Sequence, residues 1–145
     1  MRKYKQPPAR VVNAVHALGI YPGIRKLVGI TDVPVLRADG SITTTPGYDA
    51  VTGYLYNPSG SFEIPEVAGP EQVKAAKDIL EELLEGFRFE KPSDRAAALA
   101  FLFTLVGRPI FDGPAPIFLF LATTPGEGKT LLVEVLSYIG LGTWP

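Results

Sequence analysis

The sequence predicts an α+β front section followed by the beginning of an α/β domain, and three observations carry that prediction. Residues 33–57 alternate short β-prone runs with glycine and proline turns, the pattern of a small antiparallel sheet. Residues 70–106 hold two helix-period stretches. Residues 117–122 (IFLFLA) lead through a glycine loop (TTPGEGKT, 123–130) into an apolar stretch with helical spacing. The division expected is 1–65 for the front section and 66–145 for the second.

Each element has a local reason. Val11, Val12, Val15 and Leu18 give one short amphipathic helix over 9–18, closing near Gly19. Residues 33–37 and 41–45 form a hairpin, because Asp39 and Gly40 supply the positive-φ turn. Pro46 to Asp49 reads as a second turn, and Tyr54 to Tyr56 as a third strand. Val73, Ala76, Leu80, Leu83 and Phe87 line one side of a helix over 70–84, started by Pro70 and closed at Gly86; its outer face is acidic. Ser93 is the expected cap of a helix over 94–106, with Asp94 at its positive end and an apolar surface that predicts deep burial. Phe118 to Leu121 suit a strand buried on both faces. Leu131, Leu132, Val135, Leu136 and Ile139 mark the last helix, with Gly140 as its C-cap.

The loop between that strand and helix carries the chemistry. Strand, glycine loop and helix closing on Gly128, Lys129 and Thr130 is the context of a phosphate-binding P-loop, so the second section reads as the start of an α/β P-loop NTPase domain. Gly126 and Gly128 lack a Cβ, which lets backbone N–H groups approach phosphate oxygens. The helix beginning near Lys129 aims its free N–H groups and its positive end at the same anion. Lys129 would reach the β/γ-phosphates as the catalytic cation, and the Thr130 hydroxyl would ligate Mg²⁺. Pro125 stiffens the loop. The binding set expected is Thr124, Pro125, Gly126, Glu127, Gly128, Lys129, Thr130 and Leu131. Thr123 stands where the motif usually has its first glycine; a β-branched residue disfavours positive φ, so the loop must begin in an ordinary conformation.

Composition narrows the remaining classes. The absence of cysteine excludes disulfides and thiolate metal sites, and one histidine, His16, cannot build a zinc site alone. The apolar stretch at 11–20 is interrupted by Asn13 and His16 and lacks a cleavage signature, and that at 96–106 is too short to span a bilayer. No membrane partner and a cytoplasmic location are therefore expected. The net charge of −1 is uneven: residues 1–31 hold six basic side chains and no acid. A solvated face explains this most simply, and contact with nucleic-acid phosphates is the other reading.

Three stretches taken together resemble a known family. Residues 34–56 (PVLRADG, then PGYD and TGYLY), 93–103 (SDRAAALAFLF) and 116–132 (PIFLFLATTPGEGKTLL) are similar to the ATPase region of phage- and plasmid-type primase-helicase proteins of mobile elements. The resemblance implies ATP binding with Mg²⁺, ATP hydrolysis coupled to work on DNA, and a homo-oligomer. The Walker B carboxylates and arginine finger of such enzymes would fall beyond Pro145, so it also implies a truncated domain: the start of a longer protein, with little hydrolysis by this chain alone. Without later strands, the 118–121 strand and one side of helix 131–139 are expected to expose apolar surface. The alternative is a nucleotide-dependent switch or oligomerisation module without helicase activity.

Overall fold

The computed structural model describes residues 6–111, 113–124 and 126–142. The element order is α1 (Ala9–Leu18), β1 (Gly29–Thr31), β2 (Val35–Leu36), β3 (Ile42–Thr43), β4 (Gly47–Tyr48), β5 (Tyr54–Tyr56), α2 (Pro70–Glu85), α3 (Pro92–Gly107), a 3-10 turn at Arg108–Ile110, and α4 (Lys129–Leu141).

The front hairpin forms as its sequence dictates. β2 and β3 pair antiparallel, Val35 opposite Thr43, and Gly40 takes φ +85° in the turn between them. Asp39 accepts hydrogen bonds from the Ser41 N–H (2.9 Å) and hydroxyl (2.7 Å), which holds the turn. The sheet beyond it differs from expectation. Gly47 and Tyr48 are strand β4 rather than a turn, and β1 is an additional strand. The order is β1-β5-β4, with β1 parallel to β5 and β4 antiparallel to it, so the front section holds a mixed sheet beside a separate hairpin.

Asp49 ties hairpin to sheet. Its carboxylate accepts from Arg37 Nη2 (2.8 Å) and Nε (3.3 Å), and from the Thr52 hydroxyl (2.7 Å) and N–H (3.1 Å). The hydrogen bonds from Arg37, then those from Thr52, hold this buried carboxyl well below the usual range, against the opposing effect of desolvation.

The main core lies between α2, α3 and α4. Leu84, Ala98, Leu102, Leu132 and Leu136 are buried there, with Leu80, Phe87, Leu99, Phe101 and Phe120 packed around them. Pro70 is the first residue of α2, as expected, but the helix runs past its support: Val73 and Ala76 are exposed and Leu84 carries the burial. α3 also starts earlier than expected. Lys91 is its N-cap residue and Pro92 its first turn, and the Asp94 carboxylate accepts the Lys91 N–H at 3.0 Å. Ser93 is not the cap; its hydroxyl bonds to Asp94 instead. Only Ala98, Leu102 and Gly107 of α3 are buried, while Phe103 and Val106 face water, so the expected deep burial holds for one side only.

α4 extends two residues further than its pattern implied. Gly142, at φ +72°, is the C-cap, and Gly140 lies inside the helix. A Cβ on Gly140 would sit 2.9 Å from the Leu105 Cβ, so the missing side chain is what lets α4 close on α3. The Thr31 hydroxyl donates to the Leu141 carbonyl at 2.9 Å and joins the front sheet to the end of this helix.

Residues 114–122 correct the expected strand. They pair with no strand among the described residues. Phe118 and Phe120 turn inward and meet Phe101 edge-on at 5.4 and 5.3 Å, whereas Ile117, Leu119 and Leu121 are 97, 79 and 80 % exposed. The alternation of a strand is present, but only one face is covered. No helix among the described residues is long and apolar enough to cross a membrane.

Two outcomes test this packing. Leu136→Ala should lower stability by about 3 kcal/mol in urea unfolding, the cost of a cavity at a fully enclosed leucine. For Asp49, a carboxyl depressed by folding adds stability above its unfolded pKa of about 4 and loses it as pH falls below that. The stability gap between the wild type and Asp49→Asn should therefore narrow as urea unfolding is repeated at successively lower pH.

Candidate phosphate-binding loop

The loop at 123–130 is built by its two glycines and by the helix that follows. Gly126 has φ +92° and Gly128 φ +78°, left-handed conformations that a Cβ would strain. No other residue type takes positive φ among the described residues, so Thr123 begins the loop in an ordinary conformation as its side chain requires. Gly128 is the N-cap residue of α4 and its carbonyl accepts the Leu132 N–H at 2.8 Å. Lys129, Thr130 and Leu131 are thus the first three helical residues, whose N–H groups have no partner within the helix. No side chain among the described residues caps them.

Sequence-predicted residues fall as follows. Thr124, Gly126, Glu127, Lys129, Thr130 and Leu131 are exposed around the loop and first turn, and Gly128 is half-buried. Pro125 lies outside the described residues. The Lys129 ammonium and Thr130 hydroxyl engage no hydrogen-bonding or ionic partner among the described residues. The loop therefore presents a cation, a hydroxyl and unpaired amides to solvent at the positive end of a helix, a set that fits a phosphate with its metal ion.

Two contacts of the loop were not legible in the sequence, although Glu127 itself belongs to the expected binding set. Glu127 reaches back across it: the Thr123 hydroxyl donates to Glu127 Oε1 at 3.2 Å. Desolvation pushes the Glu127 carboxyl up, but hydrogen bonds from the side chains and backbone of Thr124 and Thr123 outweigh it and hold the group below its usual range. A carboxylate so stabilised is a poor proton acceptor, unsuited to serve as a general base. The second is with Phe87, counted in the sequence as the end of the α2 stripe. Its ring lies 3.7 Å from where a Gly128 Cβ would stand and floors the turn.

Concavity lies elsewhere. A cleft of about 340 Å³ opens between the front sheet and the far end of α4, lined by Ile30, Val33, Leu105 and Ile139 among others. Arg95 and Arg108 do not point chemistry at the loop: Arg95 pairs with the carboxylate and the carbonyl of Glu81, and Arg108 donates to the Phe111 carbonyl at 2.9 Å. Comparison with protein-family models, with curated proteins and with solved structures found no match to this chain.

If the left-handed turn is what shapes the loop, Gly128→Ala should cost about 1–2 kcal/mol in backbone strain. Gly60→Ala, with ordinary φ and open space around it, should be near neutral in the same urea titration.

Proposed function

We propose that residues 124–131 bind the triphosphate of ATP together with Mg²⁺. The observation that carries this reading is the pair of left-handed glycines, Gly126 and Gly128, set directly against the N-terminus of α4 with Lys129 and Thr130 free beside them. Consecutive amides turned to one side form an anion-binding nest, and the helix end adds fixed positive charge where the phosphates lie. Lys129 would neutralise the β/γ-phosphates and Thr130 would hold the metal, which supplies charge neutralisation on the phosphate oxygens.

The resemblance of the three sequence stretches extends the proposal to a DNA helicase or primase-associated ATPase of a phage or mobile element. In that reading the protein works on DNA as a homo-oligomer in the cytoplasm. A second reading, a nucleotide-dependent switch or oligomerisation module, is favoured by Glu127. The loop's own carboxylate accepts the Thr123 hydroxyl and is held below its usual range, which weakens it as an acceptor of a proton from water.

Calorimetric titration with MgATP separates binding from its absence. The wild-type chain should bind, and Lys129→Ala should weaken binding about tenfold or more, as loss of a charge-assisted phosphate contact does. Equal affinity of the two proteins would remove Lys129 from the site. Turnover stimulated by single-stranded DNA would support the helicase reading, and binding without turnover the switch.

A further inference from the structure

α1 is an amphipathic helix that buries no residue. Val11, Val15 and Leu18 stand at i, i+4 and i+7 along one side and are all exposed. The segment after it is held to the front sheet: the Tyr48 hydroxyl donates to the Lys26 carbonyl at 2.9 Å, and the Arg25 guanidinium lies 5.2 Å over the Tyr48 ring. α1 is therefore an arm carried by an anchored stem. Its surroundings in sequence are purely basic, with no acid through residue 31.

α2 offers the matching surface. Its first three turns run beyond the core, leaving Ala75, Ala76 and Ile79 exposed as a shallow apolar strip. Small residues there allow a second helix to approach closely. Beside the strip, Glu71, Asp78, Glu82 and Glu85 recur at i, i+7, i+11 and i+14, an exposed acidic stripe on one side of the helix. One molecule thus carries an amphipathic arm with Arg10 and no acid, preceded in sequence by Arg2, Lys3 and Lys5, and an exposed acid-edged apolar strip.

We propose that α1 of one copy docks on the exposed strip of α2 in a second copy. Exchanged in both directions, the contact is self-complementary, the arrangement a two-fold dimer requires. Apolar burial supplies the attraction, and the basic-to-acidic match sets the orientation and makes the contact sensitive to salt. The alternation of charge favours this occupant over a lipid surface. Ten residues whose large apolar side chains are three valines and one leucine, with no Trp, Tyr or Phe, form a weak interfacial anchor.

The chain contains no cysteine, so single cysteines report contact cleanly. Val15→Cys and Ile79→Cys both fall at exposed positions and leave the core intact. Mixed and oxidised, the two single variants should give a disulfide-linked heterodimer in clear excess over either self-linked species, and high salt should diminish it. Absence of that excess would overturn the proposal. So would a Val15→Cys/Ile79→Cys double variant that oxidises only to a linked monomer, which would place the arm on its own chain. Sedimentation of the wild type with phosphatidylglycerol vesicles or with DNA, lost on Val15→Asp and unaccompanied by the heterodimer, would assign the arm to a lipid or nucleic-acid surface instead.

Discussion

The contact between α3 and α4 is the constraint on which the rest of the structure depends. Leu102 and Ala98 on one helix meet Leu132 and Leu136 on the other, and Gly140 removes the one side chain that would hold the pair apart at Leu105. With its axis fixed there, α4 begins at a defined point, with Gly128 as its N-cap. Phe87 supports that turn from below Gly128, and the Thr31 hydroxyl fixes the far end of the same helix. A binding loop gains from such a mount because little conformational freedom is left to lose when a ligand arrives.

Helices were the most legible part of the chain. Ala9–Leu18, Pro70–Glu85 and Lys129–Leu141 all lie where helical spacing and proline placed them, since those signals act within one turn of the backbone. Misreadings arose where distant partners decide. β1 and β4 are three and two residues long, and they are strands only because β5 lies between them. Gly140 looked like a helix end, yet it is an interior residue whose smallness serves a neighbour that sequence spacing does not reveal. Ser93 was the better cap by residue type, but Pro92 starts the helix earlier and Asp94 takes the capping role from inside the first turn. In the loop, glycines and the Lys-Thr pair were readable from the motif; the Glu127 bridge was not, because it depends on how the chain doubles back.

Charge is separated along the chain in a way that bears on both surfaces. The leading segment is basic, α2 is acidic on its outer side, and the loop combines Lys129 with Glu127. The last pairing has a physical logic. Unpaired amides and a cation at a helix N-terminus concentrate positive potential, and a nearby carboxylate offsets part of it. Glu127 provides that carboxylate while its hydrogen bonds to Thr123 and Thr124 close the loop where the motif's usual first glycine is missing.

The two ends of the loop are held unequally, and that asymmetry decides where flexibility resides. On the helix side, Leu132 and Leu136 are buried and the turn rests on Phe87. On the other side, residues 114–122 are held chiefly by Phe118 and Phe120, whose edge-on contacts with Phe101 are each worth about 0.5–1.5 kcal/mol beyond their buried area. Ile117, Leu119 and Leu121 contribute little burial. In the proposed phosphate-binding reading, ordering on ligand binding would fall mainly on Thr123 and Thr124, the stretch before Glu127. Any contact that covers the outward row of this segment would stiffen the weaker end and reduce the entropy lost there, so in that reading phosphate affinity and the covering of that row would be thermodynamically linked.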